Sequence, residues 1–218
     1  NDRIIMDVFM EIFTLVTGVI YVVLEIRQKN FMWIVGMVNA LAAMYMFFSK
    51  NLYASFGVNT YYFAIAFWGL YQWRRDARRL KAGLEVSGKM EGAVSDKSDA
   101  IHLNRLGWKT LAGCAVAFCL GLAVLRFAIA GLGDPMSGLD AGVAVLSAVA
   151  TYMLGRSYRE QWLLWIVADI LSALLCVSQG MYWMMAMYAV YTASAAYGYF
   201  YWGKYGAYLD EFGDVGRQ

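Results

Sequence analysis

The chain has 218 residues, of which 61% are hydrophobic, 17% aromatic and only 16% charged. A soluble domain is on average about half apolar and a quarter charged, so this composition favours a protein that is solvated by lipid. The formal net charge of +2 gives no basis for expecting a nucleic-acid partner. One histidine, and three cysteines without a CxxC pair, provide neither a metal-ligand cluster nor a catalytic triad. We therefore expect no metal, no cofactor and no catalytic residue.

Seven stretches of the sequence are apolar and long enough for a transmembrane helix, which needs about twenty residues. Their bounds are 7–26, 31–48, 53–73, 108–131, 138–156, 162–179 and 183–202. The first stretch carries acids and is followed at once by the second, so we expect a retained span rather than a cleaved signal segment. Its last acid, Glu25, is close enough to the end of the span to reach water.

A polar segment at 74–107 separates the third and fourth stretches and is predicted to be an extramembrane loop that could begin as a helical extension. Alternating spans place 15 of the 18 Lys and Arg residues on the same side as this loop, all except Arg3, Lys50 and Arg126. The positive-inside rule makes that side cytoplasmic. The N-terminus is then outside, and the tail at 204–218 is in the cytoplasm.

Internal similarity relates the third stretch to the seventh and the second to the sixth. At an offset of 129, the third and seventh stretches share Tyr53, Tyr62, Ala66, Gly69 and Trp73 with Tyr182, Tyr191, Ala195, Gly198 and Trp202. An offset of 132 aligns Trp33 with Trp165 and sets Met37 against Asp169. An offset of 130 would set Asn39 against Asp169 instead, and the sequence leaves this register open.

These patterns predict an all-α integral membrane protein with seven transmembrane helices. Two three-helix units, at 1–73 and 132–203, would be connected by the loop at 74–107 and a linker helix at 108–131. Because a single span joins them, both units share one orientation and are parallel repeats. This three-one-three arrangement is that of SWEET-like transporters.

Polar and aromatic residues fall on one face of most of the repeat helices. In the sixth stretch the spacing of three and four residues puts on one face Trp162, Trp165, Asp169, Ser172, Cys176 and Gln179. Such faces avoid lipid, and an acid within a membrane normally faces a cavity. The substrate-binding candidates are Trp33, Asn39, Asn59, Tyr62, Trp162, Trp165, Asp169, Gln179, Trp183, Tyr188 and Tyr191.

Two plainer explanations compete with a binding role. The amides could only hydrogen-bond helices together, and an interfacial aromatic belt would account for Trp73, Trp108 and Trp202 at the predicted span ends. Four further tryptophans are ambiguous between belt and site: Trp33, Trp162, Trp165 and Trp183. An aromatic, amide and acidic site suits a hydroxylated ligand with a ring, because rings stack on aromatics and a cationic ring gains further attraction.

Three segments carry a more specific signal than hydropathy. They are Leu52–Ser55, Trp68–Trp73 and above all Arg156–Tyr182, which begins RSYREQWLLW and ends in QGMY. In these segments the sequence resembles the PnuC family of nicotinamide riboside transporters, and the resemblance covers nearly the whole chain apart from 80–105 and the tail. Asp169 and Ala66 stand where the family pattern leads us to expect Asn.

The resemblance implies a three-one-three fold and a nucleoside-type vitamin precursor as substrate. It also implies facilitated diffusion, with a separate intracellular kinase trapping the substrate, in a bacterial inner membrane and as a homo-oligomer, a trimer. For nicotinamide riboside, the residues suited to the ring are Trp165, Trp183, Tyr188 and Tyr191. Asn39, Asn59 and Gln179 suit the ribose and the carboxamide.

Three alternatives stay open on the sequence. The substrate could be another vitamin, thiamin or riboflavin. A SWEET-like sugar transporter is disfavoured, because those proteins use a proline in most repeat helices and the single Pro135 lies in a predicted loop. An intramembrane enzyme could use Asp169 with Glu11, although no second acid is placed with confidence at the depth of Asp169.

Overall fold

The structure, a computed structural model, describes residues 18–49, 53–86, 101–132, 138–178 and 180–212. Within these residues the chain forms seven α-helices, each on a predicted apolar stretch, which confirms the helical class. They are α1 over 18–26, α2 over Phe31–Ser49, α3 over Tyr53–Val86, α4 over Trp108–Leu132, α5 over Gly138–Gly155, α6 over Gln161–Ser178 and α7 over Tyr182–Tyr205. The beginning of the first stretch, 7–17, lies outside the described residues.

Three of the described helices are long and apolar enough to cross a membrane by length and composition. They are Trp108–Phe127 within α4, Gly138–Gly155 and Gln161–Ser178, and α2 contains a shorter apolar part, Phe31–Tyr45. These apolar helices are typical of an integral membrane protein.

The segment at 74–107 begins as the helical extension that the sequence allowed, and it also contains a strand that was not expected. Helix α3 continues to Val86, because the residues after position 73 are mostly Arg, Ala, Leu, Lys and Glu, which favour helix. Further on, strand β1 (Ile101–Leu103) pairs in parallel with β2 (Gly206–Tyr208), which is followed by a 3₁₀ helix at Leu209–Phe212. The tail and the loop thus form a small sheet, and the chain is not purely helical here.

Residues 101–104, called the clasp below, connect the two turns that follow α1 and α5. The side-chain amide of Gln28 accepts the His102 backbone N–H at 2.9 Å and donates to the His102 carbonyl at 3.1 Å. The same amide donates to Ser157 Oγ at 3.1 Å. The backbone N–H of Asn104 donates to the Ser157 carbonyl at 3.2 Å. The clasp therefore bonds to both turns at once.

These two turns have the same backbone conformation. Gln28 and Ser157 both have positive φ, 51° and 54°, a region that residues other than glycine rarely occupy. The Gln28 N–H donates to the Glu25 carbonyl at 2.9 Å, and the Ser157 N–H donates to the Leu154 carbonyl at 2.8 Å. The turns thus correspond at an offset of 129 residues.

Extended along the chain, that correspondence aligns α2 with α6 at an offset of 129 residues. Counted from the turns, Trp33 corresponds to Trp162 and Ala40 to Asp169. The backbone N–H groups of Trp33 and Trp162 also donate equivalent hydrogen bonds, to the carbonyls of Asn30 and Arg159 respectively. The turns give neither the offset of 132 nor that of 130. The match of Trp33 to Trp165 rests on three identical residues and does not take into account the turn before each helix.

Four tryptophans, Trp33, Trp73, Trp162 and Trp202, are among the largest fully buried side chains. The prediction that Trp73 and Trp202 belong to an interfacial belt is wrong, because each packs its ring against another tryptophan inside the bundle. Trp108, by contrast, is 78% exposed. Around this core α2 packs on α3, α6 on α7, and α5 contacts α3, α4 and α6.

Candidate functional site

A cavity of about 480 Å³ lies between α1, α2, α3, α5, α6 and α7. This volume is in the range of small-molecule sites, about 300–1,000 Å³. Its wall consists of Gly18, Tyr21, Val22, Glu25, Trp33, Gly36, Asn39, Ala40, Ala43, Asn59, Tyr62, Ala66, Thr151, Trp162, Trp165, Asp169, Tyr191 and Ala195. Both halves of the chain therefore contribute to one site.

The cavity brings together eight of the eleven residues that the sequence proposed for substrate binding. They are Trp33, Asn39, Asn59, Tyr62, Trp162, Trp165, Asp169 and Tyr191. Tyr188 is half-buried beside the wall, with its ring centroid 6.2 Å from that of Tyr191. Trp183 is 83% exposed and does not line the cavity. Gln179 lies outside the described residues.

Sequence reasoning missed one acid in this wall. Glu25, expected to reach water, is 4% exposed and lines the cavity together with Tyr21. The expectation failed because the turn after Glu25 is covered by the clasp and by α6, so the end of α1 is not a free surface. The signal was present, since Gly18, Tyr21 and Glu25 recur at three- and four-residue spacing on one face of α1.

Two glycines make room for the tryptophans of the wall. A Cβ atom at Gly69 would lie 2.6 Å from the ring of Trp33, and one at Gly198 would lie 2.7 Å from the ring of Trp162. Both distances are shorter than contacts that Cβ atoms make. The two indole rings therefore lie directly on the backbone of α3 and α7.

A second pair of tryptophans, Trp73 and Trp202, packs against Trp33 and Trp162. Trp73 packs edge-to-face on Trp33 with centroids 5.1 Å apart, and Trp202 packs in the same way on Trp162 at 5.5 Å. The indole N–H of Trp73 donates to the Leu154 carbonyl at 2.9 Å, and that of Trp202 donates to the Ile26 carbonyl at 2.9 Å. Each supporting ring is thus bonded to a helix of the opposite half, which fixes the cavity wall.

Three indole N–H groups of the wall have no hydrogen-bond partner among the described residues. They belong to Trp33, Trp162 and Trp165. Buried polar groups are nearly always paired in folded proteins, and an indole N–H is a donor only. These three donors are covered in this structure, so they would pair with the hydroxyl or carbonyl oxygens of a ligand only after the rings turn toward the cavity.

The charged groups of the wall are both acidic. Glu25 and Asp169 line the cavity, and among its described lining residues there is no Lys or Arg. Opposite charges attract strongly in a medium of low dielectric constant, and like charges repel equally strongly. The site therefore favours a cation and disfavours an anion.

A larger cavity, about 1000 Å³, lies between α3, α4 and α5. It is lined mainly by apolar and small residues, with Lys109 and Thr110 among its polar members. Neither an acid nor an unpaired indole N–H belongs to its described wall. Size alone does not make it the better candidate, because its wall lacks the converging polar groups that orient a ligand.

Comparison with known proteins gives concordant matches. The family model described as nicotinamide mononucleotide transporter matches residues 8–204. The nicotinamide riboside transporter PnuC of Haemophilus influenzae is 27% identical over 199 residues, which cover 91% of this chain and 80% of that protein. The protein of the same name from Escherichia coli is 28% identical over 197 residues, 86% of this chain and 82% of the relative.

A solved structure shares the fold. The crystal structure of the vitamin B3 transporter PnuC superposes with a TM-score of 0.65 at 24% sequence identity, and the match covers 91% of this chain and 82% of that one. At this identity the likeness is evidence for the arrangement of helices and not for the ligand.

Proposed function

The chain belongs to the nicotinamide mononucleotide transporter family, and on that premise we propose that it carries nicotinamide riboside across a bacterial inner membrane. The membership confirms the resemblance read from Arg156–Tyr182. The family is named after nicotinamide mononucleotide and the relatives after nicotinamide riboside, and these two ligands differ by one phosphate group. The acidic cavity decides between the two ligands in favour of the riboside.

The single observation that supports this choice is the charge of the wall. Nicotinamide riboside has a cationic ring, whereas a phosphate group adds about −1.5 to −2 charges at pH 7. Glu25 and Asp169 compensate the charge of the cationic ring and repel the phosphate group. The described wall contains no Lys or Arg that would attract the phosphate. The unpaired N–H groups of Trp33, Trp162 and Trp165 suit the ribose and carboxamide oxygens, and their rings suit a cation.

The proposed mode of transport is facilitated diffusion without a coupled ion. This is the mode that the family resemblance implies, and phosphorylation by a separate kinase would then trap the substrate inside the cell. None of the described helices contains a proline, because the only one in the chain is Pro135, so the unwound helices that often bind coupling ions are not expected.

The proposed architecture has seven spans, as two parallel three-helix repeats joined by α4. It is supported by the matching turns at Gln28 and Ser157 and by the two equivalent tryptophan pairs, all at an offset of 129. We propose further that the protein assembles as a homotrimer, as the resemblance implies.

Binding and uptake test the proposed substrate. We expect calorimetry on the purified protein to detect nicotinamide riboside, and to find its 5′-phosphate weaker by at least about tenfold because the phosphate meets two acids. Uptake of labelled riboside into proteoliposomes should stop at equal concentrations inside and outside. Thiamin, riboflavin and glucose are the comparison ligands, and protein-free liposomes are the control.

Two results would contradict the proposal. Tighter binding of thiamin, riboflavin or glucose than of the riboside would assign a different substrate. Accumulation above the external concentration, driven by an imposed proton or sodium gradient, would show that transport is coupled to an ion.

Cysteine labelling tests the proposed orientation, with the N-terminus outside and the segment 74–107 in the cytoplasm. In a background with Cys114, Cys119 and Cys176 replaced, Lys81→Cys on α3 should react with an impermeant maleimide only after the cells are permeabilised. Tyr182→Cys, at the start of α7, should react in intact cells. The reverse pattern would invert the topology that the basic residues predict.

A further inference from the structure

Glu25 is a buried acid at a position where the fold itself does not require one. Its Oε1 accepts a hydrogen bond from Nε2 of Gln161 at 3.4 Å, and the Gln161 side chain is fully buried. At the offset of 129 the corresponding residues are Leu154 and Met32, both of which belong to the apolar core. The other half of the molecule thus fills the equivalent place with an apolar pair.

The surroundings of Glu25 leave its charge uncompensated. Moving a carboxylate out of water costs several kcal/mol unless charges or hydrogen bonds offset the loss. Among the described residues, no ion pair includes Glu25, and Gln161 is a neutral donor. Asp169 adds a second acid to the same wall. Packing does not explain such an acid, because Leu154 serves that purpose in the other half.

Unpaired donors on residues of the same cavity wall as Glu25 also point to a ligand that completes the site. Trp33 and Trp162 are 1% and 2% exposed, line the same cavity, and have indole N–H groups without a partner in the described part of the chain. A ligand that carries both a positive charge and oxygen acceptors would pair with the acid and with the donors. A neutral ligand would leave the carboxylate uncompensated.

We propose that Glu25, oriented by Gln161, is the residue that selects a cationic ring over the neutral ring of the same shape. This inference rests on the proposed function, because it takes a pyridinium riboside as the ligand. Asp169 is the second acid of the cavity, but no described hydrogen bond holds its carboxylate in place. Glu25 is therefore the acid whose position the fold fixes, and its carboxylate, when paired with the cation, is the main determinant of charge selectivity.

The test compares nicotinamide riboside with its reduced dihydropyridine form, which keeps the ribose and carboxamide but lacks the charge. Wild-type protein should bind the cation more tightly by at least about tenfold. Glu25→Gln should remove most of that preference by weakening the cation, while the affinity for the neutral form changes by less than about threefold. Asp169→Asn should retain most of the preference.

A second variant separates the charge effect from misfolding. Glu25→Leu with Gln161→Met copies the apolar pair that the other half already packs, so it should keep the melting temperature and lose the preference for the cation. The inference would be overturned if either Glu25 variant kept its preference for the cation over the neutral form. It would also be overturned if Asp169→Asn, with Glu25 intact, lost that preference. Failure of the wild type to bind the riboside at all would instead contradict the proposed function.

Discussion

Gly198→Ala should disrupt the cavity and strongly weaken riboside binding. The added Cβ would lie 2.7 Å from the Trp162 ring, which cannot retreat because Trp202 packs against it and is bonded to the Ile26 carbonyl. Overpacking of this kind costs about 1–3 kcal/mol, and the displaced ring would enter the cavity. We expect a lower melting temperature and at least about tenfold weaker binding, measured by thermal unfolding and calorimetry.

Matched variants identify the clash as the cause. Gly142→Ala, on α5, adds the same methyl group where no atom lies within 4 Å, so it should be neutral or stabilise the helix by up to about 1 kcal/mol. Trp162→Phe in the Gly198→Ala background provides space for the methyl group and should restore part of the stability. An unchanged melting temperature in Gly198→Ala would contradict this prediction. It would show that the Trp162 ring can move away from the added methyl group.

The sequence predicts the helices and eight of the eighteen residues of the cavity wall, because both depend on local periodicity. Apolar runs of about twenty residues identify a helix without knowledge of its neighbours. The three- and four-residue spacing on α6 likewise places Trp162, Trp165 and Asp169 on one face, and all three line the cavity. The family resemblance was equally accessible, because the motif from Arg156 to Tyr182 is continuous in the sequence.

Features that depend on contacts between distant segments were not accessible. Trp73 and Trp202 are at the ends of apolar runs, and only their tertiary partners decide that they are buried rather than interfacial. Trp183 illustrates the opposite case, since a binding role was expected and the ring is 83% exposed. The position of a ring along a helix predicts its depth in the membrane. It does not predict whether a neighbouring helix covers that ring.

Short elements and unusual turns were missed for a related reason. A three-residue strand such as β1 has too few residues for a recognisable alternation, and its partner β2 follows α7. Gln28 and Ser157 adopt positive φ although neither residue type is typical of that conformation. Both the clasp and the register of α2 against α6 depend on these turns, so neither could be read from the sequence.

The clasp contains a histidine whose neutral form the fold requires. His102 is 3% exposed and packs its ring edge-on against Trp73 at 6.1 Å. Burial lowers the pKa of His102 from 6.5 to about 4, and the nearby carboxylate of Asp76 offsets only part of this shift. Asp76 is itself buried and accepts hydrogen bonds from Asn104 and from its neighbour Arg75, so its charge is already partly compensated.

Acid should therefore release the clasp through His102. Between pH 6.5 and about 4 the unfolded segment binds a proton that the folded clasp excludes, so stability is complete above pH 6.5 and falls as the pH decreases. The full effect is about 3 kcal/mol, or about three-hundredfold in the opening equilibrium. Hydrogen exchange of the amides at 101–104, corrected for intrinsic rates, should show this loss of protection. His102→Phe keeps an aromatic ring against Trp73 without a titratable group, so hydrogen exchange in this variant should not follow the same pH dependence. Identical pH profiles for the variant and the wild type would exclude His102 as the cause.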